Sequence, residues 1–159
     1  MPDQCQLSTD LHTSAMHRTM LRADVEALLS RYLIALDARD FGALEACFAT
    51  DATAHYDRPL TGVAAILAHL QDAMGRCVAS THIGGVAVLS EDAEGVSVES
   101  SALAFLVEER GEGTGIRVRG LRYRDRLTGQ SGRLVFRHRE RVASWTFEVP
   151  GRRLAGPPP

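Results

Sequence analysis

The chain has 159 residues, of which 45% are hydrophobic, and this composition suits a single globular domain with one core. A formal net charge of −2 gives no reason to expect nucleic acid or an anionic membrane as a partner. All 18 basic residues are arginine, which excludes lysine Schiff-base chemistry and a phosphate-binding P-loop lysine on this chain.

The cysteines and the apolar segments exclude further classes. Cys5, Cys47 and Cys77 are odd in number and show no Cys-x-x-Cys spacing, so neither a disulfide framework nor a zinc site is expected. The sequence contains no apolar run of about 18 residues and no N-terminal signal pattern, which predicts a cytoplasmic protein without a membrane partner. We therefore expect a site that works on a small molecule with no metal and no cofactor.

Helical periodicity predicts three helices in the first half of the chain. Residues 1–20 are polar and without periodicity, and they are predicted to form a flexible N-terminal tail ahead of one domain over residues 21–149. The first helix is predicted over residues 21–38. Asp40 is expected to cap a short second helix, and Thr61 a third helix that ends at Gly75. The inward positions of these two helices are Phe41, Leu44, Cys47 and Phe48, then Val63, Ile66, Leu67, Leu70 and Met74.

Strand-like patterns account for most of the remaining chain. A short strand is expected over residues 52–57, ended by Arg58-Pro59. After Gly75 the apolar period becomes two, which predicts strands over residues 82–89, 95–108, 116–127 and 133–148. Residues 150–159, which close on three prolines, are predicted to form a flexible C-terminal tail. This order makes an α+β domain in which a strongly curved, mixed or antiparallel sheet wraps around the helices and encloses a pocket.

Arginines recur at alternate positions on the last two predicted strands. We interpret these rows as the solvated face of a sheet whose other face packs on helices. A basic groove for an anionic ligand is the alternative. The residues concerned are Arg117 and Arg119, then Arg122, Arg124 and Arg126, and finally Arg137, Arg139 and Arg141.

Four residues have ionisable or hydrogen-bonding side chains that catalysis can use and that a hydrophobic core does not require. Asp37 stands in register with the apolar stripe of the first helix, so it is either a helix-end residue or a working acid in an apolar cavity. His82 begins an apolar strand directly after a helix, where it is either a satisfied core residue or a catalyst. An aspartate bonded to one imidazole nitrogen raises the basicity of the other. Tyr32 and Tyr56 can hold an oxygen on which negative charge develops, so the set predicts proton abstraction next to a carbonyl or elimination of water.

These residues stand in motifs that resemble the NTF2-like superfamily, specifically the SnoaL-like branch that contains scytalone dehydratase, bile-acid dehydratase and hexachlorocyclohexane dehydrochlorinase. The resemblance covers residues 21–147. It is carried by the helix Arg-Tyr-Leu-Ile-Ala-Leu-Asp-Ala-Arg-Asp, which contains Tyr32 and Asp37, and by the Phe-Ala-Thr-Asp-Ala junction at residues 48–52. Tyr56, His82 within Thr-His-Ile-Gly-Gly, and Tyr123-Arg124-Asp125 in the penultimate strand complete it.

The resemblance implies the NTF2-like cone as the fold and a role for each site residue. Asp37 and His82 fall at the positions of the Asp–His dyad that serves as the base. Tyr32 matches the helix tyrosine of the bile-acid dehydratase, and Arg139 matches a pocket arginine of the dehydrochlorinase. Tyr32, Tyr56 and Arg139 are accordingly expected to bind substrate. The resemblance also implies a homodimer or homotrimer built on the outer face of the sheet.

Three functions remain open at this point. The first is a cofactor-independent, dehydratase-like lyase or isomerase that acts on a small, largely apolar, oxygenated molecule of secondary metabolism. The second is a polyketide-type cyclase or an epoxide-opening enzyme with the same pocket, and the third is a non-catalytic small-molecule-binding domain. One departure of this sequence from the family pattern argues against dehydration in particular, because the dehydratases place a further His or Asp on the middle strand. Here residues 96–108 offer only Glu99, Ser100 and Ser101 before the apolar residues 102–107.

Overall fold

The computed structural model describes the backbone of residues 4–110 and 113–151 and the side chains of residues 13–110 and 113–151. Within these residues the helices are α1 (Gln4–Ala38), α2 (Phe41–Glu45) and α3 (Val63–Gly75). The strands are β1 (Phe48–His55), β2 (Pro59–Thr61), β3 (Ala79–Asp92), β4 (Gly95–Arg110), β5 (Gly113–Gln130) and β6 (Arg133–Gly151). The predicted α+β class is confirmed, since helices pack against one curved, unclosed sheet.

The six strands form a single mixed sheet in the order β2-β1-β6-β5-β4-β3. Strands β1 and β6 pair in parallel, and every other neighbouring pair is antiparallel. The register shifts between Gly84 and Ala87 on β3, and again opposite Gly120 and Arg126 on β5. Such bulges bend and twist a strand, and here they help the long strands curl around the helices.

The core fills the concave side of this sheet. Helix α1 buries Val25, Leu28, Tyr32 and Leu36 along one stripe, at the steps of three and four that place residues on one helix face. Helix α3 adds Ile66, Leu70 and Met74, and strands β1 and β6 add Phe48 and Phe136. The predicted inward face of α3 is therefore confirmed at these positions. The short helix α2 begins at Asp40, whose Oδ1 accepts a hydrogen bond from the amide of Ala43 at 2.9 Å, as the sequence predicts.

Several predicted boundaries are wrong. Helix α1 begins at Gln4, seventeen residues before the predicted start at residue 21, and residues 13–20 of it are exposed. A helix that is already nucleated can propagate through residues with no apolar stripe, which is why periodicity missed this part. Gly62, at φ 84°, precedes α3 in place of the expected Thr61 cap, and it makes no side-chain capping bond. Strand β6 runs to Gly151, and the rest of the predicted C-terminal tail lies outside the described residues.

Pro59 was expected to end a strand and Thr61 to cap a helix, but residues 59–61 form strand β2 at the edge of the sheet. Thr53 pairs with Thr61, and His55 pairs with Pro59. Proline has no amide hydrogen to donate, so it is tolerated as the first residue of an edge strand and nowhere in the middle of a sheet. The strand extends the sheet beside β1.

The arginine rows do not all lie on the solvated face. Arg122 and Arg124 are exposed on the outer face of β5, as predicted. Arg117 and Arg119 instead share the concave face with Leu121 and Tyr123, since alternate residues of a strand lie on one side. Arg139 is also inward and fully buried. Arg141 follows it on the same face.

The outer face of the sheet carries exposed apolar side chains. Ile83, Leu103, Gly120 and Trp145 stand directly opposite one another across β3, β4, β5 and β6. Ile83 is 53% exposed, Trp145 is 48% exposed, and Phe147 stacks on Trp145 with ring centroids 5.9 Å apart. This is the face on which self-association is expected, and the association itself stays a prediction. None of the helices in the described part of the chain is long and apolar enough to span a membrane.

Candidate active site

Asp37 and His82 meet where the end of α1 crosses β3. Asp37 Oδ1 accepts a hydrogen bond from His82 Nδ1 at 2.6 Å, and Oδ2 accepts one from the backbone amide of His82, also at 2.6 Å. Ser80 Oγ donates a third bond to Oδ1 at 2.7 Å. The imidazole is 4% exposed and the carboxylate 24% exposed. The structure thus brings the two predicted residues into direct contact, although their catalytic role stays a prediction.

The protonation pattern of this contact follows from its donors and acceptors. A carboxylate can only accept, so Nδ1 of His82 carries the hydrogen, and Nε2 of the neutral ring is left without one. Burial acts to raise the pKa of Asp37, but the hydrogen bonds from Ser80 and from the ring and amide of His82 outweigh it and lower the pKa. Asp37 is therefore an ionised partner that orients the ring.

Arg39 fixes the end of α1 against β3, a role that the sequence did not reveal. Its φ of 58° lies in the left-handed region, and the amide of Asp40 bonds back to the carbonyl of Ala35 at 2.9 Å. This is a common way for a helix to end, usually with glycine at the left-handed position. The guanidinium donates to the carbonyls of Asp37, at 2.9 Å, and Cys77, at 3.2 Å, and to Ser80 Oγ at 2.7 Å. Asp37 is consequently held at a fixed distance from the strand that carries His82.

Tyr32 and Tyr56 form a hydrogen-bonded pair, with their hydroxyl oxygens 3.1 Å apart. They are 1% and 6% exposed. Burial raises the pKa of Tyr32 well above its usual value, and it raises the pKa of Tyr56 to about 12. One hydroxyl donates to the other, so one hydroxyl hydrogen of the pair remains available to an oxygen of a ligand. Tyr32 lines a cavity together with His82, whereas Tyr56 lies behind it, stacked on His69 at 5.4 Å.

Arg139 is buried behind the tyrosines. Its Nη1 donates to Asp125 Oδ2 at 3.2 Å, and both side chains are essentially inaccessible to solvent. The guanidinium carbon lies 4.2 Å from the ring centroid of Tyr32 and 3.9 Å from that of Tyr123. Burial raises the pKa of Asp125 to about 7, and the charge of Arg139 opposes the rise. Arg139 therefore supports Tyr32 from behind, and the substrate contact expected of it stays a prediction.

Asp125 and Tyr123 were quoted for the resemblance but not assigned to the site. Tyr123 is 3% exposed and lines the same cavities as His82. The signal that could have found both residues is their alternation on β5, two positions apart on the face that Leu121 and Leu127 bury. In the sequence that signal is hidden by the intervening arginines.

Two cavities meet at His82. The first, here called the α3 cavity, has a volume of about 380 Å³ and lies between the end of α1, helix α3 and strands β4 to β6. Its apolar walls come from Leu36, Leu70, Ala73, Met74, Ala104, Leu106 and Leu121. The second, the α1 cavity, has a volume of about 500 Å³ and lies along the other flank of α1, beside Glu26, Ser30 and Ser100.

The α3 cavity is the better candidate for the reaction site. A small-molecule site combines apolar walls with polar groups that converge on one ligand. Tyr32, Tyr123 and His82 supply those polar groups at one end of this cavity. The α1 cavity includes His82 and Tyr123 but not Tyr32. In the described part of the chain, no group of three or more His, Cys, Asp or Glu side chains is placed to hold a metal ion.

Comparison with known proteins identifies a domain family for this chain. A family model for the SnoaL-like domain matches residues 17–140. No protein of curated function matches the chain by sequence.

Solved structures share the fold at low sequence identity. One is a protein from Novosphingobium aromaticivorans that carries the provisional name scytalone dehydratase, with 20% identity and a TM-score of 0.74 over 85% of this chain and 91% of that one. Another is the hexachlorocyclohexane dehydrochlorinase LinA-type3 from Novosphingobium barchaimii, with 19% identity and a TM-score of 0.77 over 90% and 99% of the two chains. ActVI-ORFA from Streptomyces coelicolor has 24% identity and a TM-score of 0.67 over 78% and 97%.

Proposed function

Because the chain belongs to the SnoaL-like domain family, and because its Asp37–His82 contact borders a cavity lined by both apolar and polar side chains, we propose that it is a cofactor-independent lyase or isomerase. The observation that carries the proposal is the 2.6 Å bond from His82 Nδ1 to Asp37 Oδ1, which leaves Nε2 as the free basic nitrogen of a ring that lines the α3 cavity. The names of the two similar structures, a dehydratase and a dehydrochlorinase, support elimination as the reaction class.

In the proposed reaction His82 Nε2 removes a proton from a carbon next to a carbonyl. The electron pair of the broken C–H bond moves into the new carbon–carbon double bond, and negative charge develops on the carbonyl oxygen. The Tyr32 hydroxyl donates to that oxygen, while Asp37 stabilises the imidazolium. The same imidazolium then returns its proton. Delivery to a departing hydroxyl group completes a dehydration, and delivery to another carbon completes an isomerisation.

The side chains of β4 are consistent with a mechanism in which one residue, His82, acts first as the base and then as the acid. The inward positions of β4 are Ser100, Ala102, Ala104, Leu106 and Glu108, and the carboxylate among them, Glu108, forms ion pairs with Arg110 and Arg117. Tyr32 is too weak an acid to protonate a leaving group readily, since burial raises its pKa. The proton removed by His82 is therefore the natural proton for the second step.

The Kemp elimination of nitrobenzisoxazole tests the base without knowledge of the natural substrate. In this reaction a base removes the proton on the ring carbon while the nitrogen–oxygen bond breaks, and a coloured phenolate forms. We expect the wild-type protein to accelerate it and His82→Ala to lose about 10²–10⁴-fold of that rate. His55→Ala removes an exposed histidine and is the matched control. If His82→Ala retains the wild-type rate, His82 is not the base.

Product analysis then separates the remaining reaction classes. Small oxygenated carbonyl compounds are incubated with the protein and followed by mass spectrometry. A product lighter by one water indicates dehydration, and an isobaric product indicates isomerisation or ring closure, which would support the cyclase alternative. A protein that binds such compounds but converts none of them, and that leaves nitrobenzisoxazole unreacted, would be a binding domain.

A further inference from the structure

Two arginines on the wall of the α3 cavity have no ion-pair partner among the residues that the structure describes. Arg117 also lines the cavity, but Glu108 Oε2 and Glu148 Oε1 each lie 3.0 Å from its guanidinium. By contrast, Arg119 and Arg141 have no carboxylate within 4.0 Å among the residues that the structure describes, and both line the cavity.

Both arginines are partly buried and close to other cations, so the absence of an ion-pair partner is energetically unfavourable for them. Burial lowers the pKa of Arg119, and repulsion from Arg117 and Arg141 lowers it further. The guanidinium carbon of Arg141 lies 4.8 Å from the ring centroid of Tyr56. Partly buried cations that repel one another are stabilised by an anion that enters between them. The planar guanidinium fork binds a carboxylate with two parallel hydrogen bonds.

The register of the sheet places this pair close to the base. His82 stands directly opposite Ala104, and Ala104 stands directly opposite Arg119, across the adjacent strands β3, β4 and β5. Two interstrand steps separate the backbones of His82 and Arg119 by about 10 Å, with both side chains on the concave face. Arg141 stands opposite Tyr123 on the next strand. An anionic group held by Arg119 and Arg141 therefore leaves room for a few bonds of substrate between itself and His82.

We propose that the substrate of this protein is a carboxylic acid whose carboxylate is bound by Arg119 and Arg141, with its reacting carbon a few bonds away beside His82. This assignment rests on the proposed function, because it uses the same cavity. It narrows the substrate from any small oxygenated molecule to an apolar acid. It also gives a function to two arginines that lie on the concave face of the sheet without an ion-pair partner among the described residues.

A pair of probes of equal shape and different charge tests the assignment. Naphthoate and naphthamide differ only in the carboxylate, and calorimetry measures their affinities. Because hydrogen bonds to charged groups contribute about 1.5–3 kcal/mol each, we expect the wild-type protein to bind naphthoate about tenfold or more tightly than naphthamide. Arg119→Met and Arg141→Met should each reduce that ratio to about threefold or less, and Arg119→Lys should restore part of it.

Two further variants serve as controls. Arg122→Met removes an equal charge from the outer face of the same strand and should leave the ratio unchanged. His82→Asn removes the base and should also leave the ratio unchanged, so that failure of the base assignment and failure of the carboxylate assignment give different results.

Four results with the naphthoate and naphthamide probes would overturn the proposal. They are equal affinity for the two probes, no measurable binding of naphthoate at millimolar concentration, an unchanged ratio in both Arg119→Met and Arg141→Met, and an equal loss in Arg122→Met. Displacement of naphthoate by inorganic phosphate at equal concentration would also overturn it, because the pair would then recognise a phosphate group in place of a carboxylate.

Discussion

Replacing Asp37 by asparagine should separate the two functions of the carboxylate, which are to accept hydrogen bonds and to set the tautomer of His82. The carboxylate accepts three bonds, one from Ser80 and two from His82. An asparagine of the same shape has one acceptor oxygen and one donor group, so one side of it must face a donor. If the amide nitrogen faces the backbone amide of His82, that bond is lost. If it faces the ring, Nδ1 must give up its hydrogen, which moves to Nε2.

The second arrangement is the cheaper one, because a ring proton and a serine hydroxyl can move whereas a backbone amide cannot. A bond to a charged group contributes about 1.5–3 kcal/mol and a neutral bond about 0.5–1.5 kcal/mol, so each of the three bonds loses about 1 kcal/mol. The total of about 3 kcal/mol falls to about 2 kcal/mol when screening by solvent is allowed for, since the carboxylate is 24% exposed. The rate of Kemp elimination should fall about 10²–10⁴-fold, because Nε2 is no longer free.

Urea denaturation and NMR measure the two effects independently. Wild-type His82 should show a protonated Nδ1 and an unprotonated Nε2 in its ring-nitrogen shifts, and Asp37→Asn should show the reverse. Ser80→Ala is the control for the tautomer, because it removes one of the three bonds to the carboxylate together with the bond from Arg39, costs about 1–2 kcal/mol and leaves the tautomer unchanged. The reasoning is refuted if Asp37→Asn unfolds at the wild-type urea concentration and keeps the hydrogen on Nδ1.

The same variant gives a prediction for the dependence of stability on pH. The pKa of Asp37 is lowered in the folded protein, so its contribution is present above the unfolded value of about 3.9 and is lost as the pH falls through the folded pKa. The difference in unfolding free energy between wild type and Asp37→Asn should therefore be largest above pH ~4 and should close below it. A difference that grows as the pH falls below about 4 would contradict the assignment of Asp37 as an ionised acceptor.

Three further predictions address the walls of the site and the outer face of the sheet. Removing one member of the buried Asp125–Arg139 pair, as in Arg139→Met, should cost about 3–5 kcal/mol of unfolding free energy in urea titrations, whereas the double replacement Asp125→Leu/Arg139→Met should cost less than either single one. Ala104→Leu fills the α3 cavity and should abolish the naphthoate binding that calorimetry measures. Ala102→Leu, two residues away on the wall of the α1 cavity, should preserve that binding. The opposite result would place the binding site in the α1 cavity. If the outer face joins copies of the chain, Trp145→Arg should convert an oligomer into a monomer in analytical ultracentrifugation, and a wild-type protein that is already monomeric at micromolar concentration would refute self-association.

The helices and strands with a strong apolar period were predictable from the sequence, and so was the meeting of Asp37 with His82. Asp37 continues the stripe that buries Leu28 and Tyr32, and His82 begins the strand that follows α3, so both had to lie on the concave side. The exposed start of α1 was not predictable in this way. Residues 13–20 bury no apolar stripe, so their sequence has no apolar periodicity that would predict a helix.

The arginines show a second limit of sequence patterns. Alternation indicates which residues share a face, but it does not say which face is concave, because that depends on where the helices pack. A bulge adds a further ambiguity, since one extra residue reverses the faces of everything beyond it. On β6 such a shift lies between Ala143 and Trp145, so Arg139 and Arg141 face inward while Trp145 and Phe147 face outward. No turn residue or glycine on β6 marks that position.

The protonation states around the α3 cavity limit the chemistry that it can support. Burial raises the pKa values of Tyr32 and Tyr123, and burial followed by the charge of Glu108 raises that of Cys77, so these groups keep their hydrogens at neutral pH and act as donors. Arg119 and Arg141 are fixed cations. Glu108 lies between Arg110 and Arg117. Among the described side chains that line the cavity, His82 Nε2 is then the one basic atom without a hydrogen-bond partner. The hydroxyls and guanidinium groups of the same cavity are hydrogen-bond donors. A site of this composition stabilises negative charge and not positive charge, so the proposed reaction should pass through an enolate. An acid with no carbonyl to acidify its C–H bond should bind beside Arg119 and remain unchanged.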